Sequence, residues 1–285
     1  MKRIISIAAA LAAAFCLNAQ EFTAYYQQEY GPAHSYVVQG GAAYKDLLFQ
    51  CHDKAPAIVV YDLAKKSFAG EIKLEGCKTW HCNNAVFSDV FYAPGDEFPL
   101  LYVSQENIAE HCTIVFRISR KGSAFNAEIV QKIVFPAPIE MGLYYPNIAL
   151  DLKNGKMYLE GFTAPSWNNP ANGNGIVLLS FDTPDVHTPL VQLSTTDIKT
   201  RANSDFRVAT QGACIRNGYL YQVFGGKGAG LFCRTSLENG LELTVKLPAV
   251  GISEEPETLA FWNDTLIVVD VKGMVYTSDI KVSQQ

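Results

Sequence analysis

Gly212-Ala213-Cys214-Ile215-Arg216-Asn217-Gly218-Tyr219-Leu220-Tyr221 reads as a strand of small residues, a two-residue turn, and a second strand that closes on an apolar-aromatic pair. Asn217-Gly218 carries this reading, because both residue types tolerate the positive φ that a tight type I′ hairpin demands. The same pattern is written four more times. The copies are Gly40-Gly41-Ala42-Ala43-Tyr44 to Leu47-Leu48-Phe49, Asn84-Ala85-Val86-Phe87 to Leu100-Leu101-Tyr102, Asn147-Ile148-Ala149-Leu150 to Lys156-Met157-Tyr158, and Thr258-Leu259-Ala260-Phe261 to Thr265-Leu266-Ile267. Successive starts lie roughly 45–65 residues apart, the period of a four-stranded propeller blade. One such unit cannot bury its apolar faces alone and must stack on its neighbours. The chain is therefore expected to be all-β, a five-bladed β-propeller.

Before the repeats, Lys2 and Arg3 lead into an apolar, alanine-rich run over residues 4–17, and Leu17-Asn18-Ala19 ends on a small residue before Gln20. This is the layout of a secretory signal peptide, expected over residues 1–19. Cys16 suggests a lipid anchor, but Phe15 is bulky where such a signal wants a small residue. Residues 20–285 then form a single domain, exported to periplasm, cell surface or medium, with no later stretch apolar enough to cross a membrane. The formal charge of −5 is scattered over 28 acidic and 23 basic residues, so no basic face for nucleic acid emerges. Seven cysteines include Cys16 in the leader; the others are Cys51, Cys77, Cys82, Cys112, Cys214 and Cys233. Their even number in an exported chain predicts disulfides, with connectivity open.

Each repeat continues into two further strands rich in β-branched and aromatic residues: 57–62 and 68–74, 113–117 and 127–133, 175–180 and 189–193, 230–233 and 241–245. The last repeat supplies only three, over 257–261, 265–270 and 274–282. Residues 22–26 are the donor for its fourth. An N-terminal strand closing the last blade would remove an open sheet edge. In a propeller the first strand of each blade lines the axis, and the loops between strands 2 and 3 and between blades share one face. That face gathers the aromatics, imidazoles and amides, whereas the other collects short turns and an acidic insertion over 88–99. Loops so furnished are binding loops more often than spacers.

The candidate ligand-binding residues on that face are Trp80, His81, Asn83, Asn84, Tyr145, Asn147, Trp167, Arg207, Gln211 and Glu257. Trp167, in the long polar loop over 164–175, reads as a stacking platform of the kind carbohydrate sites use or as a disordered hairpin tip, and Trp80 as a second platform or as packing between blades 1 and 2. Glu257 is a carboxylate at the channel mouth, placed to hold a cation or act as a base. His52, His81 and His111 each adjoin a cysteine, which makes a zinc site conceivable, although no familiar metal spacing supports it. Trp262, beside the Asn263-Asp264 turn, reads as structural.

Thr210-Gln211-Gly212-Ala213 through Tyr219-Leu220-Tyr221 to Gly225-Gly226 resembles an element of the five-bladed glutaminyl cyclases of the plant and bacterial type. The resemblance covers about one blade, implies a cyclase-like acyl transfer, and carries over Gln211 alone, as a channel-facing polar group; Ala213 stands where that family has Leu. Gln211-Gly212 with Glu255-Pro256-Glu257 is similar to secreted propellers linked to cell-wall polymer biosynthesis. His81 to Asn84 with Asp96-Glu97-Phe98-Pro99-Leu100-Leu101-Tyr102 resembles small secreted propellers common in Bacteroidetes.

Three functions follow from the inventory. The first is a monomeric, non-catalytic module binding a polar small molecule, glycan or peptide at the channel mouth. The second is a propeller enzyme, either cyclase-like or a metal-assisted hydrolase, with Glu257 or His81 as acid/base. The third is a protein-interaction scaffold. Amides and rings dominate, without a Ser/His/Asp order, and this favours the first. No cofactor is specified.

Overall fold

The computed structural model describes residues 22–29, 37–53, 57–74, 81–105, 111–163, 175–204 and 209–280. The leader expected over 1–19 lies outside them.

The strands run β1 (Phe22–Gln27), β2 (Val38–Tyr44), β3 (Leu47–His52), β4 (Ala57–Asp62), β5 (Ser67–Lys73), β6 (Cys82–Phe87), β7 (Leu101–Gln105), β8 (Cys112–Lys121), β9 (Ala124–Val134), β10 (Tyr144–Asp151), β11 (Lys156–Phe162), β12 (Ile176–Asp182), β13 (Leu190–Gln192), β14 (Thr200–Ser204), β15 (Thr210–Arg216), β16 (Tyr219–Phe224), β17 (Leu231–Ser236), β18 (Gly240–Lys246), β19 (Pro256–Trp262), β20 (Thr265–Asp270) and β21 (Met274–Ser278). They form five sheets: β2 to β5 is blade 1, β6 to β9 blade 2, β10-β11-β12-β14 blade 3, β15 to β18 blade 4, and β19-β20-β21-β1 blade 5. The fold is the five-bladed β-propeller that the repeats predict.

The tight hairpin turns use positive φ. Asn217 and Gly218 take φ of 53° and 77°, and Lys45 and Asn263 take 52° and 54°. Burial falls from the axis outward. The second and third strands of blade 1 are buried along almost their whole length, whereas outermost β18 alternates. Inner strands face neighbouring blades on both sides, and outer strands meet solvent on one. Apolar clusters fill the spaces between blades. The cluster between blades 1 and 2 holds Phe49, Phe87, Phe98, Phe116 and Phe125. Blades 3 and 4 meet through smaller ones, Ala149-Ala213-Leu220 and Ile176-Phe224-Cys233.

The ring closes as expected. β1 pairs antiparallel with β21 from Phe22↔Ser278 to Gln27↔Met274. Phe22 packs edge-on against Phe232 of blade 4, with ring centroids 5.7 Å apart, so the closing strand also seals the neighbouring interface. Trp262 is structural: its indole Nε1 donates to Asp46 Oδ1 at 3.0 Å, and its ring tilts against Tyr25 at 5.4 Å. Trp262→Phe should lower stability by about 1 kcal/mol, the ordinary worth of one side-chain hydrogen bond. A denaturant titration checks this.

Two expectations are corrected. Residues 189–193 do not supply the fourth strand of blade 3. β13 instead adds to blade 2, parallel to β9 from Leu190↔Lys132 to Gln192↔Val134, while β14 takes the outer edge of blade 3. The open edge of β9 explains the exchange, because it offers unpaired backbone groups; the buried Gln131 side chain reinforces it by donating to the carbonyls of Asp185 and Thr188. The acidic insertion over 88–99 is also pinned. Arg117 forks onto Asp96, which holds that carboxyl below its ordinary range, and Phe98 is buried against Phe49.

Finally, Cys51, Cys82, Cys112, Cys214 and Cys233 form no disulfide with one another; Cys77 lies outside the described residues. Cys82 and Cys112 both pair with Gln105, from opposite sides of β7. Two strand spacings, roughly 9–10 Å, exceed the reach of a disulfide. Among the described residues, no helix is long and apolar enough to cross a membrane.

Candidate functional site

Every innermost strand slips register once, near its N-terminal end. The slips fall at Val38/Gly41, Cys82/Asn84, Tyr144/Asn147, Thr210/Ala213 and Pro256/Thr258. A bulge inserts an unpaired residue and re-aims its side chain. Inside these bulges sit Gln39, Asn83, Tyr145, Gln211 and Glu257, one from each blade. All five line one cavity of about 500 Å³ on the face the sequence singled out, together with Asp53, His81, Phe162, Thr210, Glu255 and the apolar Val37, Ala209 and Val271. A fivefold repeat of one backbone defect thus converts five strand ends into a single site.

The bulges are held from below. Asn84 donates its amide to the carbonyls of Ile148 (2.6 Å) and Ala213 (2.8 Å), which ties blade 2 to blades 3 and 4. Asn147 donates to the carbonyl of Gln211. Thr258 Oγ1 donates to the carbonyl of Gln39 at 2.7 Å, and Gln50 Nε2 donates to Thr258 Oγ1 at 2.8 Å, which couples blade 5 to blade 1. The inner strands approach so closely that a Cβ on Gly40 would stand 2.4 Å from the Asn84 Cα, and one on Gly212 would stand 2.5 Å from the Leu259 nitrogen. The axis is therefore packed beneath the cavity, and the site is a funnel with a floor of amides.

The walls combine charge, amide and ring. His81 Nδ1 meets Asp53 Oδ1 at 2.9 Å. Gln211 Nε2 donates to Glu255 Oε1 at 2.7 Å. Burial lifts the Glu255 carboxyl above its ordinary range, and the Gln211 bond offsets part of that rise. Glu257 is 3% exposed. Gln39 and Asn83 are each 7% exposed, and the buried Thr210 hydroxyl meets no hydrogen-bond partner among the described residues. Tyr145 adopts φ 56°, a left-handed conformation that costs a bulky residue about 1–3 kcal/mol and clusters at functional sites. Its ring stands nearly perpendicular to Phe162 at 6.1 Å.

Of the candidate residues, His81, Asn83, Tyr145, Gln211 and Glu257 face the cavity. Asn84 and Asn147 lie beneath it, their amide donors taken up by blade-to-blade bonds. Trp80, Trp167 and Arg207 lie outside the described residues. Sequence reasoning passed over Gln39, although it stands five residues before Tyr44 as Gln211 stands five before Arg216 and Glu257 five before Trp262. The three-histidine metal centre is not assembled. His52 and His111 are buried at strand ends while His81 faces the cavity, and no three His, Cys, Asp or Glu among the described residues are gathered to hold a metal. Burial holds His111 below its ordinary pKa.

No protein-family model matches the chain, and no curated protein does. Solved structures align with it at low identity. Hydrazine synthase of Kuenenia stuttgartiensis aligns at 11% identity over 81% of this chain and 61% of that one, with a TM-score of 0.43, so the chain spans less than two thirds of its length. A nidogen/laminin complex aligns at 13% identity over 88% and 84%, with a TM-score of 0.45. The β-propeller domain of Cps50 (Swd1) from Myceliophteria thermophila aligns at 8% identity over 86% and 84%, with a TM-score of 0.40.

Proposed function

We propose that this propeller is an exported, non-catalytic binding module that holds a polar small molecule, or the end of a glycan or peptide, in the funnel at its axial mouth. The observation that carries the reading is the set of five bulges, each aiming a side chain into one cavity. The volume, about 500 Å³, lies within the range of roughly 300–1,000 Å³ usual for small-molecule pockets. A screen of glycans, short peptides and metabolites by thermal shift and calorimetry tests it. Asn83→Ala and Gln211→Ala should each weaken a hit by about tenfold or more, the worth of one buried hydrogen bond, while the unfolding temperature of the unliganded protein stays within about 2 °C. Hits that ignore both substitutions would place binding elsewhere.

A second reading rests on the His81–Asp53 pair. An imidazole oriented by a carboxylate at the wall of a cavity is the arrangement of a general base. Turnover of any hit that is abolished by His81→Gln without loss of binding would favour this reading, and cyclase-like acyl transfer is the first reaction to assay.

A further inference from the structure

A second hollow, of about 310 Å³, lies in the seam between blades 2 and 3, on the face opposite the funnel. Three connections wall it: residues 88–90 after β6, the turn between β10 and β11, and residues 183–186 after β12. Tyr102, Leu150 and Val186 are its buried lining. Val90 and Leu152 stand at the rim, each 42% exposed, and Phe91 beside Val90 is 43% exposed. Apolar residues left in water together, rather than singly, mark interaction surfaces. Backbone bonds hold each wall in place. The Ser88 N–H donates to the Leu100 carbonyl at 2.9 Å, and the Leu100 N–H to the Val90 carbonyl at 2.8 Å. The Thr183 N–H donates to the Gly155 carbonyl at 2.9 Å, and Gln131 Nε2 to the Asp185 carbonyl at 2.7 Å. A hollow already in its binding shape spends little free energy on ordering when it is filled.

We propose that this hollow receives an extended segment of a partner protein, which seats one aliphatic side chain between Val90 and Leu152 and carries a lysine or arginine beside that anchor. The site is separate from the funnel and does not depend on what the funnel holds. Its volume is at the lower end of the range for small-molecule pockets, roughly 300–1,000 Å³, and suits an anchoring side chain. A free small molecule would fill the hollow yet leave Phe91 and the outer flanks of Val90 and Leu152 in water, whereas a chain crossing the rim covers them. Charge selects what flanks the anchor. Asp89 and Asp185 line the hollow, and among the described residues its lining has no lysine or arginine. Asp185 Oδ1 also accepts the His187 backbone N–H at 3.0 Å, which leaves its charge in place. Lys156 and Lys199 both pair with Asp182, outside the lining, and Lys153 does not line the hollow either. The Asp89 charge is felt at the floor: burial first and Asp89 second push the Tyr102 phenol up to about 12. An acidic segment would meet like charge there.

Three dye-labelled peptides test the assignment by fluorescence anisotropy on the full folded chain: acetyl-Gly-Lys-Leu-Lys-Gly-amide, its Lys-Ser-Lys analogue and its Glu-Leu-Glu analogue. The Lys-Leu-Lys peptide should saturate below about 1 mM and bind about tenfold more tightly than the Lys-Ser-Lys peptide, the worth of burying one leucine side chain. The Glu-Leu-Glu peptide should not saturate. Leu152→Ser, at an exposed turn, should weaken the first peptide about tenfold, and Val90→Ser gives the same reading from the other wall; thermal unfolding reports that each variant is folded. Asp89→Asn should weaken it about threefold and flatten its salt dependence, as the loss of an exposed charge pair does. The assignment is overturned if either analogue binds as tightly as the Lys-Leu-Lys peptide, if no saturable binding appears at millimolar concentration, or if both Leu152→Ser and Val90→Ser change nothing. Binding of N-acetyl-leucinamide as tight as that of the peptide would make the occupant a small molecule and overturn the partner-protein assignment.

Discussion

A chain lacking β1 should lose cooperative folding. The six residues from Phe22 to Gln27 supply the outer strand of blade 5, and without them β21 becomes an open edge. The loss also reaches other blades. Phe22 is 7% exposed and packs with Phe232 of blade 4, and the Tyr25 hydroxyl donates to the carbonyl of Leu63 in blade 1 at 3.0 Å. Phe22→Ala alone should cost about 3–4 kcal/mol, as large-to-small changes at buried aromatics do. Deletion of the strand adds the ladder and the inter-blade bonds, and that total approaches the whole stability of an ordinary domain, about 5–15 kcal/mol. Circular dichroism against temperature should show a broad, low transition in the truncated chain, and a synthetic peptide spanning 22–27 should sharpen it. A truncated chain that unfolds as sharply and as late as the full one would mean that closure contributes little.

Glu160→Gln should stabilise the protein at alkaline pH and do little in acid. Glu160 lies in β11, is 3% exposed, and faces Gln222 and Cys233 across the interface between blades 3 and 4, with its Oε2 lacking a partner. Burial pushes its carboxyl from an ordinary 4.5 up to about 7, and the Gln222 amide pulls it back in part. A raised folded-state value means that the folded protein holds this proton more tightly than the unfolded chain does. The proton's contribution is therefore complete below about pH 4.5 and is lost as pH rises through about 7. At 1.36 kcal/mol per unit, the loss comes to roughly 3 kcal/mol by pH 8. Glutamine keeps the shape and carries no charge. The difference in stability between variant and wild type should be near zero at pH 4.5 and approach roughly 3 kcal/mol, or about 5–10 °C in unfolding temperature, at pH 8. A difference that stays flat across that window would show that Glu160 is ionised in the folded state at little cost. Among the described residues this interface has small apolar clusters, Ala149-Ala213-Leu220 and Ile176-Phe224-Cys233, so one destabilised carboxylate weighs heavily on it.

Both predictions turn on elements of different legibility. Residues 22–26 were readable as the closing strand because blade 5 was one strand short and an apolar, alternating segment stood upstream. Glu160 carried no such mark. In sequence it is one polar residue in Tyr158-Leu159-Glu160-Gly161-Phe162, and nothing local says that its neighbours will come from a blade some sixty residues away.

The same division runs through the whole protein. Local chemistry determined the blade count, the Asn-Gly hairpins, the closing strand and the face bearing aromatics and amides. These depend on turn residues and a period of two, which any observer of the chain can count. Only the tertiary structure decided which strand edges pair beyond the hairpins, so β13 could cross to blade 2. It also decided that Asn84 and Asn147 brace the axis while Asn83, one residue away, faces the funnel. A single extra residue in each innermost strand reverses which side chains point inward. The slip lies within each blade's own first hairpin, but the Asn84, Asn147 and Thr258 hydrogen bonds that brace it reach to other blades.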